Sequence, residues 1–422
     1  MRRPLYGWLC ADAISLIGTR VSMIAIPWFV LTTTGSATRT GLVALAEMLP
    51  MVVLKVLGGP LIDRLGSRRV AITCDVASVV VVGAIPLLHA ADLLTLPVLL
   101  ALVAGAGALR GPGDAAKHAL VPRLAETAGV PMERVTGLAS TVERSASLVG
   151  AAAAGALVAA LGPANAITVD AASFGLSAVV MAWATVALRP AASEEEADPS
   201  PYLDQLRQGW DFLRRDPLLL GIAVMVALTN VLDTAWATVL LPVWAKEYGA
   251  GAAGLGVLLA VFAGASAVGS VCAATWAVRL PRYAVYLAAY LVTGAPRFGV
   301  LAYDSPLWLL GLVVVASGFA SGFLNPVLGV VIFERIPPAL LGRVSSLTTA
   351  MCFALMPFGG LLGGALVSWQ GLTFAMLAVG AAYFLVTMLP ALNPRWREMD
   401  RRPGPRAGAV AVGAPDVGTD LP

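Results

Sequence analysis

Gly59-Pro60-Leu61-Ile62-Asp63-Arg64-Leu65-Gly66-Ser67-Arg68-Arg69 separates two long apolar stretches of the chain. Its charges cannot lie in hydrocarbon, and the stretch is too short to fold alone. It therefore reads as a turn between antiparallel helices at a membrane edge. Gly59 and Gly66 supply backbone freedom for a tight reversal. Asp63 is placed to cap a helix start, and Arg64, Arg68 and Arg69 suit an anionic membrane surface.

Outward from this turn the chain is a succession of apolar runs. It is 58% hydrophobic and only 13% charged, against ~25% charged for a soluble domain. Twelve runs match or exceed the ~20 residues that cross a ~30 Å hydrocarbon core. They lie at about 8–31, 40–61, 70–90, 94–115, 135–161, 164–188, 217–243, 252–277, 283–302, 306–333, 343–368 and 371–391. The expected fold class is an all-α integral membrane protein with 12 transmembrane helices in two six-helix, pseudo-symmetric halves. The first run, with Asp12 and Arg20 inside it, is too long for a cleaved signal peptide.

Basic residues set the orientation. Alternate connections hold only Arg39 and Lys246, while the others hold Arg2, Arg3, Arg64, Arg68, Arg69, Arg123, Arg134, Arg214, Arg215, Arg335 and more. The positive-inside rule then predicts cytoplasmic N- and C-termini in the cell membrane. The net charge of +3 belongs to lipid-facing loops. Nucleic acid is not an expected partner, because no soluble domain gathers a basic patch. Cys10, Cys74, Cys272 and Cys352 lie apart in apolar runs, and His89 and His118 are distant from each other. No metal, cofactor or catalytic residue is expected, and a membrane-embedded enzyme lacks the clustered His, Ser-His pair or acidic metal site it would need.

The chain repeats itself. Arg134-Val135 reappears 209 positions on as Arg343-Val344, Leu157-Val158 as Leu366-Val367, and Gly150, Gly155 and Gly162 as Gly359, Gly364 and Gly371. At a spacing of 214, Arg68 matches Arg282 and Pro112 matches Pro326. The implied units are an N-terminal half, 1–188, and a C-terminal half, 217–392. A linker at 189–216 joins them, ending in an amphipathic helix on the membrane surface. A Pro-, Gly- and Arg-rich tail, 393–422, is expected to be disordered.

The turn follows the pattern G-x-L-x-D-R-x-G-x-R-R, which resembles the loop 2–3 signature of the major facilitator superfamily of transporters. Three further segments resemble its drug:proton antiporter-3 branch, which includes macrolide and enterobactin exporters. They are Thr34-Gly35-Ser36-Ala37, Gly209-Trp210-Asp211-Phe212-Leu213-Arg214-Arg215-Asp216-Pro217 and Leu341-Gly342-Arg343-Val344. Arg110-Gly111-Pro112-Gly113-Asp114 faintly resembles the family's fourth-helix motif. The fifth run departs from the antiporter pattern: Gly150 is followed by Ala151, and the proline stands in the repeat partner, at Pro357. The resemblance covers about residues 5–392. It implies a monomeric, proton-coupled exporter of small amphiphilic organic molecules that works by alternating access. Export of a siderophore, and facilitated movement or import of a nutrient or lysophospholipid, stay open beside it.

Ionisable residues inside the runs are the candidates for coupling, because each costs ~2.5–3.5 kcal/mol to insert and so faces a cavity or a partner. Asp12 and Arg20 in the first run, and Glu47 and Lys55 in the second, have equal spacings of ~12 Å along a helix. Antiparallel neighbours would set Arg20 beside Glu47 and Asp12 beside Lys55. Alternatively, Asp12 is solvated and Lys55 snorkels. Glu47, Asp233 and Asp12 are the candidate proton carriers, and Arg20, Lys55 and Arg144 the candidate charge partners. Thr229, Asn230 and Trp236 share one helical face with Asp233, and Ser317, Ser321 and Asn325 recur at every fourth residue. These stripes are candidate cavity walls, with interhelical hydrogen bonding as their alternative. Gly59, Asp63, Arg64, Gly66, Arg68 and Arg69 are the expected cytoplasmic latch.

Overall fold

The computed structural model describes residues 3–186, 188, 202–276, 280–303, 305–337 and 340–401. In the first half the helices are α1 (Arg3–Thr34), α2 (Ala37–Leu57), α3 (Gly59–Leu65), α4 (Ser67–Ala90), α5 (Leu96–Ala119), α6 (Val121–Ala128), α7 (Met132–Leu161) and α8 (Pro163–Ala184). α9 (Tyr202–Leu213) precedes the second half. That half comprises α10 (Pro217–Ala235), a π turn (Trp236–Leu240), α11 (Leu241–Glu247), α12 (Gly251–Trp276), α13 (Arg282–Thr293), α14 (Ala295–Ala302), α15 (Leu307–Arg335), α16 (Leu341–Ala354) and α17 (Pro357–Met388). Among the described residues, eleven helical stretches are long and apolar enough to cross a membrane. The last, Arg343–Leu392, has 50 residues. As one helix it would span ~75 Å, more than twice a hydrocarbon core. It reverses at Gly371 (φ 80°, ψ 174°) and so supplies two crossings, making twelve.

Local chemistry fixes the reversals. Thr33 and Thr34 return their hydroxyls to the carbonyls of Phe29 and Val30, Gly35 takes a left-handed φ of 67°, and Ser36 caps α2 by accepting from the Arg39 amide. The 59–69 segment is not the open turn expected. Gly59–Leu65 is a short helix, and the residue before α4 is Gly66 at φ 83°, with no side-chain cap. Asp63 thus lies inside α3 and does not occupy the capping position of α4. Its side chain is outside the described residues.

The sequence repeat is a structural one. Gly162 starts α8 at φ 82°, and Gly371, its partner 209 positions on, has φ 80° at the corresponding reversal. The halves meet through the same small residues. A Cβ on Gly155 would lie 2.8 Å from the Gly256 Cα, and one on Gly364 would lie 2.5 Å from the Ala37 carbonyl oxygen. Such close approach of backbones needs glycine. It joins α7 to α12 and, by the same logic, α17 to α2.

Residues 189–201 of the expected linker and 402–422 of the expected tail lie outside the described residues. α9 does not rest on the membrane alone: Gly209 abuts the Arg343 backbone, Leu213 is fully buried, and Gln208 accepts from Arg343. The tail does not become irregular at Asn393. Pro394–Asp400 forms a 3-10 helix whose Trp396 and Met399 are buried, with Trp396 against Tyr286. Around it Arg282 pairs with Glu334 at 2.7 Å, and Arg335 pairs with Asp216 at 2.7 Å and Glu398 at 3.3 Å.

Candidate functional site

A cavity of about 420 Å³ runs along α1, α2, α5 and α7. Its wall mixes charge (Asp12, Arg20, Glu47, Lys55, Arg110, Glu143) with the pliable apolar side chains of Met23, Met48 and Met51. At one end the wall residues Lys55, His118, Thr136, Ser140 and Glu143 are exposed. At the other, Val43, Ala44 and Thr238 are buried. The halves are pressed together beyond that buried end. Thr38 and Ser368 share a hydrogen bond of 2.6 Å, Lys246 donates to the Leu31 carbonyl at 2.9 Å, and a Cβ on Gly41 would lie 2.2 Å from the Gly360 carbonyl oxygen. The cavity is thus a one-ended pouch, open where α1 begins and closed where α1 ends.

At its centre Arg110 Nη1 donates to Glu47 Oε1 at 2.7 Å, and both side chains are about nine-tenths buried. Glu47 is ten residues from either end of α2, ~15 Å from each and so at mid-depth. Two glycines on one face of α5 create the pair. A Cβ at Gly107 would fall 1.9 Å from the Glu47 carbonyl oxygen, and one at Gly111 would fall 2.4 Å from that of Met51. Without side chains there, α5 closes onto α2 and delivers Arg110 to Glu47. The helix runs unbroken through Gly111-Pro112-Gly113.

This overturns the expected pairings. Arg20 is not the partner of Glu47. It lines the cavity, reaches the Met23 sulfur at 3.5 Å, and its stem packs on Gly150. Asp12 and Lys55 both line the cavity but form no ion pair with each other. The Lys55 ammonium stands 5.8 Å from the Phe353 ring centre. Arg144 meets no carboxylate of α1 or α2; it donates to Ser270 at 2.8 Å, across the two halves.

Behind the wall a buried network ties four helices. Lys117, 1% exposed, pairs with Asp75 at 3.1 Å and donates to Ser15 at 3.0 Å. Ser177 donates to Asp75 at 2.7 Å, and the Trp8 indole donates to the Lys117 carbonyl at 3.1 Å. Asp170, fully buried, accepts from Ser22 and Ser173. These groups satisfy one another and hold α1, α4, α5 and α8 together.

The polar stripes of the second half do not line the cavity. Thr229 returns its hydroxyl to Val226, Asn230 donates to Cys352, Ser317 donates to Val292, and Ser321 donates to Ser266. Asn325 is exposed away from the cavity wall. Trp236 is buried beside Arg297, which forms an ion pair with Asp233. The second half gives the cavity Thr238, from the π turn. In the 59–69 segment Arg64 and Arg69 are exposed, while Arg68 donates to Thr185 and to the Ala182 carbonyl, both at 2.9 Å.

The chain matches the Major Facilitator Superfamily over residues 8–232 and 223–413. It is 29% identical over 406 residues to the multidrug efflux pump Tap of Mycobacterium tuberculosis, covering 95% of this chain and 96% of that protein. The enterobactin exporter EntS of Escherichia coli is 29% identical over 220 residues, 50% of this chain and 49% of that one. Among solved structures, the nucleoside transporter NupG superposes with a TM-score of 0.72 at 13% identity, covering 96% of this chain and 100% of that one, a likeness of fold.

Proposed function

The chain belongs to the major facilitator superfamily, and on that premise we propose that it exports small amphiphilic organic compounds in exchange for protons. The observation that carries this reading is the one-ended pouch, which combines buried charge with methionine-rich apolar wall. Methionine side chains are flexible and polarizable, so they accommodate varied apolar shapes. Charges of both signs orient a polar group without demanding one structure. Similarity to a multidrug efflux pump along nearly the whole chain supports the same class. The basic residues at the open end support a cytoplasmic position for that end, so the pouch would collect its cargo from inside the cell. Since the cavity lies within one chain, a monomer suffices.

In this mechanism Glu47 takes the proton. Ionised, it holds Arg110; neutral, it releases it, and α2 and α5 change their electrostatic contact at mid-membrane. The seal at Thr38, Gly41, Gly360 and Gly364 would then part while the cytoplasmic end closes, with the Asp63 segment as its latch. Binding of the compound and of the proton are thereby linked to opposite states. A second reading, export of an anionic siderophore, draws on the half-length similarity to EntS and on Arg20, Lys55 and Arg110 in the wall.

Cells producing the protein should hold several-fold less ethidium at steady state than cells without it, and a protonophore should erase the difference. Equal accumulation across a panel of lipophilic cationic, neutral and anionic dyes, with the protein present in the membrane, would defeat the export reading.

A further inference from the structure

The Arg110–Glu47 pair has a counterpart in the second half that the cavity does not contain. Arg297, on α14, pairs with Asp233, on α10, and the two side chains differ sharply in exposure: 3% for the arginine and 41% for the aspartate. Asp233 is sixteen residues along a span that runs from Pro217 to Glu247, which places it at mid-depth. The protein therefore leaves the carboxylate partly uncovered while it encloses the guanidinium.

Arg297 also has a second means of support. Its guanidinium carbon lies 4.8 Å from the ring centre of Trp236, 4.9 Å from Phe298, 5.1 Å from Tyr383 and 5.9 Å from Phe262. Aromatic faces attract a desolvated cation, so Arg297 stays charged in place when Asp233 becomes neutral. Two buried donors in the same nest, Arg297 Nε and Trp236 Nε1, have no protein acceptor. The charged and titratable groups facing Asp233 are Arg297 from α14, Tyr290 from α13 and Tyr383 from α17.

Both backbones that carry the pair are irregular next to it. The π turn begins at Trp236, three residues after Asp233, and α13 breaks from α14 at Gly294, three residues before Arg297. π turns inside α-helices are rare and occur frequently at functional sites. This one reaches the cavity: Thr238 lines the cavity wall, and a Cβ on Gly360 would stand 3.2 Å from the Thr238 hydroxyl, within the seal.

We propose that Asp233 and Arg297 form a second proton-binding site, in the C-terminal half, which works beside Glu47 and moves the seal through the π turn. A proton from water adds to a carboxylate oxygen of Asp233, the ion pair opens, and the same proton leaves to the opposite side when the pair re-forms. This site rests on the reading of the chain as a proton-driven exporter.

The test is the number of protons exchanged per ethidium. Purified protein in liposomes is given a range of pH gradients at zero membrane potential, and the ethidium gradient that stops net flux is found for each. With two intramembrane carboxylates in use, the slope should be about two for the natural protein and about one for Asp233→Asn. If Asp233→Asn does not fold, Asp233→Asn with Arg297→Gln, which leaves no buried charge, should give the same slope of about one. A slope of about one in the natural protein, or an equal slope in the variants, overturns the second site and leaves the exporter reading intact. No dependence on the pH gradient at all in the natural protein overturns the exporter reading instead.

Discussion

Glu47→Gln protein is expected to lose proton-driven transport by ~100-fold or more and to be ~3–5 kcal/mol less stable, the cost of leaving one member of a buried pair alone. The change strands Arg110, which cannot shed its proton and is about nine-tenths buried. Adding Arg110→Gln removes the stranded charge, so the double variant should regain most of the stability and little of the transport. Unfolding of the purified proteins in detergent, arranged as a double-mutant cycle, measures this. If the loss in the double variant equals the sum of the single losses, the two residues do not interact and the centre of the site has been misplaced.

Gly41→Val should hold the closed end of the pouch apart. Even the first carbon of the new side chain would lie 2.2 Å from the Gly360 carbonyl oxygen, and that oxygen is backbone and cannot turn aside. Overpacking of this kind costs ~1–3 kcal/mol. Spent entirely on the sealed state, it shifts the balance of states by ~5–150-fold, at 1.4 kcal/mol per tenfold. Transport should fall by ~10-fold or more, and a cysteine at Thr238 should become open to labelling from the side where α1 ends. Gly137→Ala is the control, because a Cβ there meets nothing within 4 Å. Unchanged labelling at position 238 in Gly41→Val would mean that this contact does not seal the cavity.

The spans were legible because a bilayer imposes length and composition on them. Internal similarity located Gly162 and Gly371, since the same reversal needs the same left-handed residue twice. Pairing was less legible. Equal spacing in α1 and α2 made Arg20 and Glu47 look like neighbours, but spacing says nothing of which face a helix turns to which partner. The deciding signal lay in α5, in Gly107 and Gly111, four residues apart and so on one face. Small residues at that spacing mark where another backbone comes close, and Arg110 between them follows. The stripes on α10 and α15 misled for a different reason. Hydroxyls and amides on a helix can be satisfied by a preceding turn or an adjacent helix, as at Thr229, Asn230 and Ser317, and a polar face need not be a wet one. The tail looked disordered by composition, yet its first residues are held, with Trp396 against Tyr286.

The central claim is that proton movement and movement of an amphiphilic compound are obligately linked through this one chain. Purified protein in liposomes loaded with a pH-sensitive dye, with membrane potential clamped at zero, addresses it directly. Adding ethidium or another transported dye on the side of the open pouch should drive protons the opposite way, in a fixed ratio to the dye that moves. Glu47→Gln should slow the movement of dye and protons together, by ~100-fold or more. Dye that crosses at the same rate with or without a pH gradient, and without moving protons, would contradict the account and make the protein a facilitator.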